Sequence, residues 1–238
     1  MNQAYQGTEL ELFAAARNWK TYFARQLAPY IGARVLEVGA GLGSNIPYLS
    51  HAGVREWLCL EPDPEMARGL GENIARGALP TACRVIQGGI ERLPVESRFD
   101  TILYLDVLEH IERDRAELAE AGRHLEPGGA LIVLAPAHPF LFSPFDAAIG
   151  HHRRYTKTML TDIAPPGFRL LACRMLDSAG FFASLANRLL LRAAQPSRSE
   201  IEFWDRLLVP LSRLTDRATG FRFGKTILAV WSPQPATG

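Results

Sequence analysis

Short apolar, β-rich runs recur along the chain at Arg34–Val38, Glu56–Leu60, Cys83–Gln87, Thr101–Leu105 and Leu131–Ala135, and the segments between them carry apolar residues at helical period. Strands spaced by helices build βαβ units, whose right-handed crossovers lay the strands parallel in one sheet. The pattern predicts an α/β fold. Ahead of the first strand, Thr8-Glu9-Leu10-Glu11 has capping-box spacing and opens an amphipathic lead-in helix that runs to about Leu27. Asp63-Pro64-Glu65 reads as a helix cap, a proline at the first helical position and an acidic first turn, with Gly77 as the stop. Glu126-Pro127-Gly128-Gly129 is expected to end another helix, because proline cannot continue it and the glycines supply a tight turn into the next strand.

Beyond a sixth strand at Phe168–Arg174 the regularity breaks. Ser178–Ala194 and Glu200–Arg217 read as helices around the polar linker Gln195–Ser199, and Lys225–Trp231 reads as a closing strand. Trp204, Leu207, Leu208 and Leu211 fall at i, i+3, i+4 and i+7, which predicts one apolar helix face. The 238 residues are therefore read as a single domain: a lead-in over 1–32, a core over 33–135, a loop and strand over 136–177, a helical insertion over 178–220, and a last strand and tail over 221–238. The insertion is read as ordinary core packing, as a lid, as a dimer surface that would make a homodimer, or as an interfacial helix pair for a lipid-linked acceptor. Arg188, Arg192, Arg206 and Arg213 among leucines motivate the last reading.

Composition narrows the function. Lys plus Arg number 26 against 25 Asp plus Glu, so no charge excess exists to hold a nucleic-acid backbone. Apolar residues at 47% and charged residues at 21% are globular proportions. Cys59, Cys83 and Cys173 show no C-x-x-C spacing, which argues against a disulfide framework or zinc knuckle. No secretory leader and no apolar run of about 18 residues is visible, so a cytoplasmic protein with no transmembrane segment is expected.

The most informative segment is Glu37-Val38-Gly39-Ala40-Gly41-Leu42-Gly43-Ser44-Asn45. An apolar strand runs into three alternate glycines, which permit positive φ and let a ligand lie against bare backbone. The spacing is G-x-G-x-G, not the G-x-G-x-x-G of a dinucleotide site, and Glu37 precedes it. A carboxylate there repels a pyrophosphate and suits a cationic nucleoside. Glu61, at the end of the second strand, is placed to accept hydrogen bonds from ribose hydroxyls.

These residues, with Gly88-Gly89-Ile90-Glu91-Arg92-Leu93-Pro94, Phe99–Ile111 and Leu125–Gly129, resemble the class I S-adenosylmethionine-dependent methyltransferases over about Val35–Ala135. The resemblance implies a Rossmann-like, mostly parallel seven-stranded sheet with helices on both faces and a reversed last strand. It implies S-adenosyl-L-methionine as cofactor, contacted by Glu37, Gly39, Ala40, Gly41, Gly43, Asn45, Glu61, Pro62, Gly89, Ile90, Glu91, Asp106, Val107 and His110. The family often carries an acidic or amide side chain where Gly89 stands, so adenine would rely here on backbone around Ile90 and on Glu91. Asp106, Glu109 and His110 are spaced i, i+3, i+4; the stretch resembles ubiquinone-pathway O-methyltransferases, where such a set is associated with a divalent metal. The expectation here is no metal, with Asp106 capping the turn and Glu109 and His110 supporting the cofactor loop.

For a hydroxyl acceptor a base must take the proton, and His110, His138, His151 and His152 are candidates. The proline-stiffened run Ala135–Asp146 is placed to wall an acceptor pocket. Gly150-His151-His152-Arg153-Arg154-Tyr155-Thr156, a segment similar to one in bacterial small-molecule methyltransferases, would bring donors to its mouth. His110, His151, His152 and Tyr155 are the expected catalytic residues, and Arg153 and Arg154 are candidates to clamp an anionic acceptor. The expected reaction is methylation of a hydroxyl on a saccharide, lipid-linked or secondary-metabolite acceptor. N- or C-methylation, a nicotinamide-dependent oxidoreductase and a non-catalytic cofactor-binding subunit stay open as alternatives.

Overall fold

Strand β1 (Arg34–Val38) is apolar on both sides because it lies mid-sheet: Val35 and Leu36 are fully buried yet face opposite layers. The computed structural model describes residues 15–186 and 197–235. Among these, β1 joins β2 (Glu56–Glu61), β3 (Cys83–Gln87), β4 (Phe99–Leu105), β5 (Leu125–Pro136), β6 (Phe168–Leu176) and β7 (Thr226–Pro233) in one seven-stranded sheet of order β3-β2-β1-β4-β5-β7-β6. The first five strands pair in parallel, and β7 runs antiparallel between β5 and β6.

One apolar layer gathers Val35, Trp57, Cys59, Leu103, Ile132 and Leu228 beneath helix α1 (Arg17–Leu27), which contributes Trp19, Phe23 and Leu27. The opposite layer gathers Leu36, Leu58, Ile102, Leu131 and Trp231 with Leu118 and Ala121 of a later helix, Asp114–Arg123. Full burial of such aliphatic side chains stabilises the fold by roughly 1.5–3 kcal/mol each. Helices thus cover both faces, as the resemblance implies.

Numbered in chain order, the remaining helices are α2 (Ile46–Leu49), α3 (Pro64–Ala75), α4 (Asp114–Arg123), α5 (Pro144–Ala148), α6 (Lys157–Asp162), α7 (Ser178–Ala186), α8 (Arg198–Phe203) and α9 (Val209–Ala218). Asp63 caps α3 by accepting the Glu65 and Met66 amides, and Gly77, at φ 73°, follows its end. The Thr8–Glu11 box lies outside the described residues, as does the stretch 187–196 of the insertion.

Two expectations need correction. Glu126–Gly129 lies inside β5, since α4 has already stopped at Arg123. A register shift between Phe99 and Thr101 absorbs the irregular segment, and a Cβ at Gly129 would stand 2.8 Å from the Asp100 carbonyl. The face predicted from Trp204, Leu207, Leu208 and Leu211 is broken by a π-helical turn at Trp204–Leu208. That turn moves the buried phase to Ile201, Trp204, Val209 and Ser212, and leaves Leu207 and Leu211 exposed.

Candidate functional site

The glycine bend follows β1 at the carboxyl edge of the sheet. Gly39, Gly41 and Gly43 take φ of 68°, 55° and 78°, a region that side chains penalise. A Cβ at Gly39 would lie 2.6 Å from a methyl of Val107, and one at Gly43 would lie 2.7 Å from Leu70. The bend is thus closed between the turn after β4 and α3, with backbone as its exposed lining.

Glu61 ends β2 beside it. Its Oε2 accepts the Gly41 amide at 2.7 Å and its Oε1 the Asp63 amide at 2.9 Å. Burial pushes this carboxyl upward while the two amides pull it down. Each carboxylate oxygen carries two acceptor sites, so both retain capacity for a diol. The bend and this acid fit the nucleoside that the resemblance implies.

Glu37 departs from its expected role of facing a cationic ligand. Strand alternation turns it inward beside Trp57: it is 1% exposed, accepts the Trp57 indole N–H at 3.0 Å and also bonds Asn45. Burial pushes its carboxyl up to about 7. Lys20 of α1 neighbours it, donates to Ser44 Oγ at 2.7 Å and is lowered by burial to about 8. No sequence spacing points to Lys20, because only the packing of α1 brings it to the bend.

Gly89 donates to Oε1 of Glu91 at 3.1 Å, Ile90 is buried, and Pro62 is exposed next to Glu61. Ala40 is buried within the bend, its amide bonded to the Leu60 carbonyl. Asp106 takes φ 55°, a strained value for a non-glycine residue at the edge of the cleft. Desolvation raises its carboxyl, against the attraction of His151, Lys225 and Lys20.

The His-His-Arg-Arg-Tyr segment is held by buried acids. Arg154 forks onto Asp146 at 3.0 and 2.9 Å, and Arg153 binds Asp114 at 2.6 Å and the Glu112 carbonyl at 2.8 Å. Neither guanidinium is therefore placed as the anion clamp the sequence suggested. Tyr155 is fully buried and donates to the Leu108 carbonyl and Asp114, with its phenol pushed strongly upward by burial. These contacts pin the segment against the turn after β4 and suit Tyr155 to support, not proton transfer.

The histidines separate. His152 is exposed, and its backbone amide bonds the Glu109 carbonyl. His110 and His151 meet edge to face at 4.6 Å, and burial lowers His110 to about 4. His151 Nδ1 lies 2.9 Å from Asp146 Oδ1. His138 has φ 65° and its Nε2 lies 3.0 Å from the Gly224 carbonyl. A carbonyl only accepts, so Nε2 of His138 carries the proton and Nδ1 is the acceptor.

Around His138 stands an aromatic cluster. Phe140 and Phe181 lie 5.2 and 5.0 Å from it, and Phe181 packs against Phe182 and Phe223 at 5.4 and 6.4 Å. Phe140 and Phe182 are half exposed. These rings come from the loop after β5, the start of α7 and the approach to β7, all at the sheet edge that carries the glycine bend. No sequence spacing links them, and the reversal of β7 brings them together.

Residues 36–133 match the model of a methyltransferase domain. The chain is 29% identical over 164 residues to the demethylmenaquinone methyltransferase of Tropheryma whipplei (strain Twist), over 68% of this chain and 64% of that protein. The matched stretch therefore spans somewhat under two thirds of that relative. An S-adenosylmethionine-dependent methyltransferase from Clostridium acetobutylicum superposes with TM-score 0.59 at 10% identity, over 97% of this chain and 96% of that one. The cyclase SpnF superposes with TM-score 0.64 at 14% identity, over 98% and 96%. At such identities the likeness is one of fold, and a sheet shared with a cyclase does not choose the reaction.

Proposed function

We propose that this chain, of which residues 36–133 match a methyltransferase domain, is a class I S-adenosylmethionine-dependent methyltransferase that transfers the methyl group to a hydroxyl oxygen of a small, largely apolar acceptor. The observation that carries this is the glycine bend with three positive φ values beside the Glu61 carboxylate. S-adenosylmethionine, when bound, supplies a methyl already made electrophilic by its sulfonium. In this reading Gly39–Gly43 receive the cofactor on backbone, Glu61 accepts from its ribose, and Gly89–Glu91 flank its base. Glu37 braces the bend from inside through Trp57 and Asn45.

The acceptor lies against Phe140, Phe181 and Phe182, whose rings favour a flat or apolar body over a bare saccharide. His138 would take the acceptor's hydroxyl proton on Nδ1 as the methyl carbon exchanges its bond to sulfur for one to that oxygen, with S-adenosylhomocysteine as the leaving group. The remaining work of the chain is alignment and exclusion of water. The burial that lowers His138 keeps it neutral, the form a base requires. Its positive φ is the kind of strain kept at working sites. The three cysteines are free, and Cys59 and Cys83 are buried, which fits a reducing compartment such as the cytoplasm.

The demethylmenaquinone relative favours a second reading, methylation at carbon of an aromatic acceptor. Calorimetry with S-adenosylhomocysteine tests the cofactor half: Glu61→Ala is expected to weaken binding by about 1–3 kcal/mol. An unchanged dissociation constant overturns the assignment. Turnover of an aromatic alcohol library tests the other half. His138→Ala is expected to lower kcat with cofactor affinity intact, and a product methylated at carbon selects the second reading.

A further inference from the structure

The glycine bend, Glu61 and Gly89 stand at or just beyond the carboxyl ends of β1, β2 and β3. The amino ends of the same three strands border a separate pocket of about 400 Å³, lined by Arg34, Arg55, Glu56, Thr81, Ala82 and Arg84. Strand register assembles it. Arg34 stands opposite Glu56, and Arg84 stands opposite Leu58, two positions further along β2, so alternation sends Arg34, Glu56 and Arg84 to one face of the sheet. Arg55 joins them from the residue ahead of β2.

The charge of this pocket is unbalanced. Glu56 is the one acid among the described residues that line it, and Arg34 already claims that acid: Nε lies 3.2 Å from Oε2, while the same guanidinium sits over the Phe99 ring at 5.8 Å. The guanidiniums of Arg55 and Arg84 have no hydrogen bond or ion pair to any described residue. Two uncompensated positive charges therefore share one concavity, whose protein walls concentrate their field. They repel each other until an anion lies between them.

The lining also selects the class of anion. Guanidinium forks match phosphate oxygens bidentately, and the Thr81 hydroxyl adds a donor. None of the six lining residues is aromatic, so nothing in the pocket stacks a nucleobase. Its volume equals that of about thirteen liquid waters at ~30 Å³ each, enough for two linked phosphoryl groups.

We propose that Arg34, Arg55 and Arg84 bind a small diphosphate anion, which ties the amino ends of β1, β2 and β3 together at the sheet edge opposite the glycine bend. Such a ligand stabilises the folded chain by mass action and touches neither the bend nor the aromatic cluster around His138.

The test titrates sodium pyrophosphate into the full chain by calorimetry at about 0.15 M salt, where diffuse attraction between exposed charges is screened beyond ~8 Å. One site per chain with a dissociation constant below about 1 mM is expected, together with an unfolding temperature that rises with pyrophosphate concentration. Arg55→Ala and Arg84→Ala, both at exposed positions, are expected to keep the parent's unfolding temperature without pyrophosphate and to bind it about 10-fold more weakly or worse. Glu56→Gln, which releases Arg34, is expected to tighten binding about 3-fold. Saturating S-adenosylhomocysteine is expected to leave the pyrophosphate affinity unchanged, because the two places lie at opposite strand ends. No saturable binding up to about 10 mM pyrophosphate, or parent-like binding by either alanine variant, overturns the inference. Displacement of pyrophosphate by the nucleoside puts the anion at the glycine bend and overturns it equally.

Discussion

Two buried acid clusters flank the cleft, and they differ in how completely they are satisfied. Asp177 and Asp216 join α1, α7, the π-helical turn, α9 and the approach to β7. Asp177 accepts from the Trp204 indole and Ser212 at 2.6 Å each and from the Gly180 amide, and it pairs with Lys225 at 3.4 Å. Asp216 accepts from the Tyr22 hydroxyl and the Asp177 amide at 2.7 Å each, and from the Ser178 amide at 3.0 Å. Every oxygen there has a donor. Glu109, equally buried, has none. The contrast is one of satisfaction: a saturated network fastens the helical insertion to the sheet, whereas burial without donors pushes the Glu109 carboxyl well above the ordinary carboxylate range.

The sharpest way to break this comparison is Asp216→Ala, which strands three buried donors. A loss of about 3–5 kcal/mol in urea unfolding is expected. Next comes Glu37→Gln. With a native pKa of about 7 against 4.5 unfolded, the native state binds the extra proton between these values. Stability therefore falls as pH rises through that window, by about 3 kcal/mol at most. The glutamine variant should lose this slope when unfolding is followed from pH 4.5 to 8. The smallest effect belongs to Glu109→Leu: removing a buried acid that has no hydrogen-bond partner should be neutral or stabilising, within about 2 kcal/mol. A cost as large as that of Asp216→Ala would erase the distinction between the clusters.

Much of the parallel core and of the glycine bend was legible in the chain. The β1 and β3 boundaries, the Asp63 cap and the glycine bend follow from local rules, in which residue type sets backbone geometry over a few positions. Local rules also misled. Glu37 was read as ligand-facing from its spacing, but strand alternation turned it toward Trp57. Arg153 and Arg154 were read as donors for an acceptor, although Asp114 and Asp146 had prior claim to them. The apolar stripe at Trp204–Leu211 failed because a π-helical turn changed the helical phase, a shift that periodicity cannot register.

Hydrophobic alternation, caps and glycine placement were enough to determine the strand count, the parallel core and the position of the bend, because each acts within one element and its neighbour. Tertiary structure alone decided that His151 stands against Glu109 with Asp146 behind it, and that His138 stands among phenylalanines drawn from three separate segments. The His151–Glu109 and His138–Phe181 contacts span 42 and 43 positions, and their energies depend on burial and on the orientation of side chains across elements. No local pattern encodes either quantity, because both arise only once the two layers have closed on the sheet.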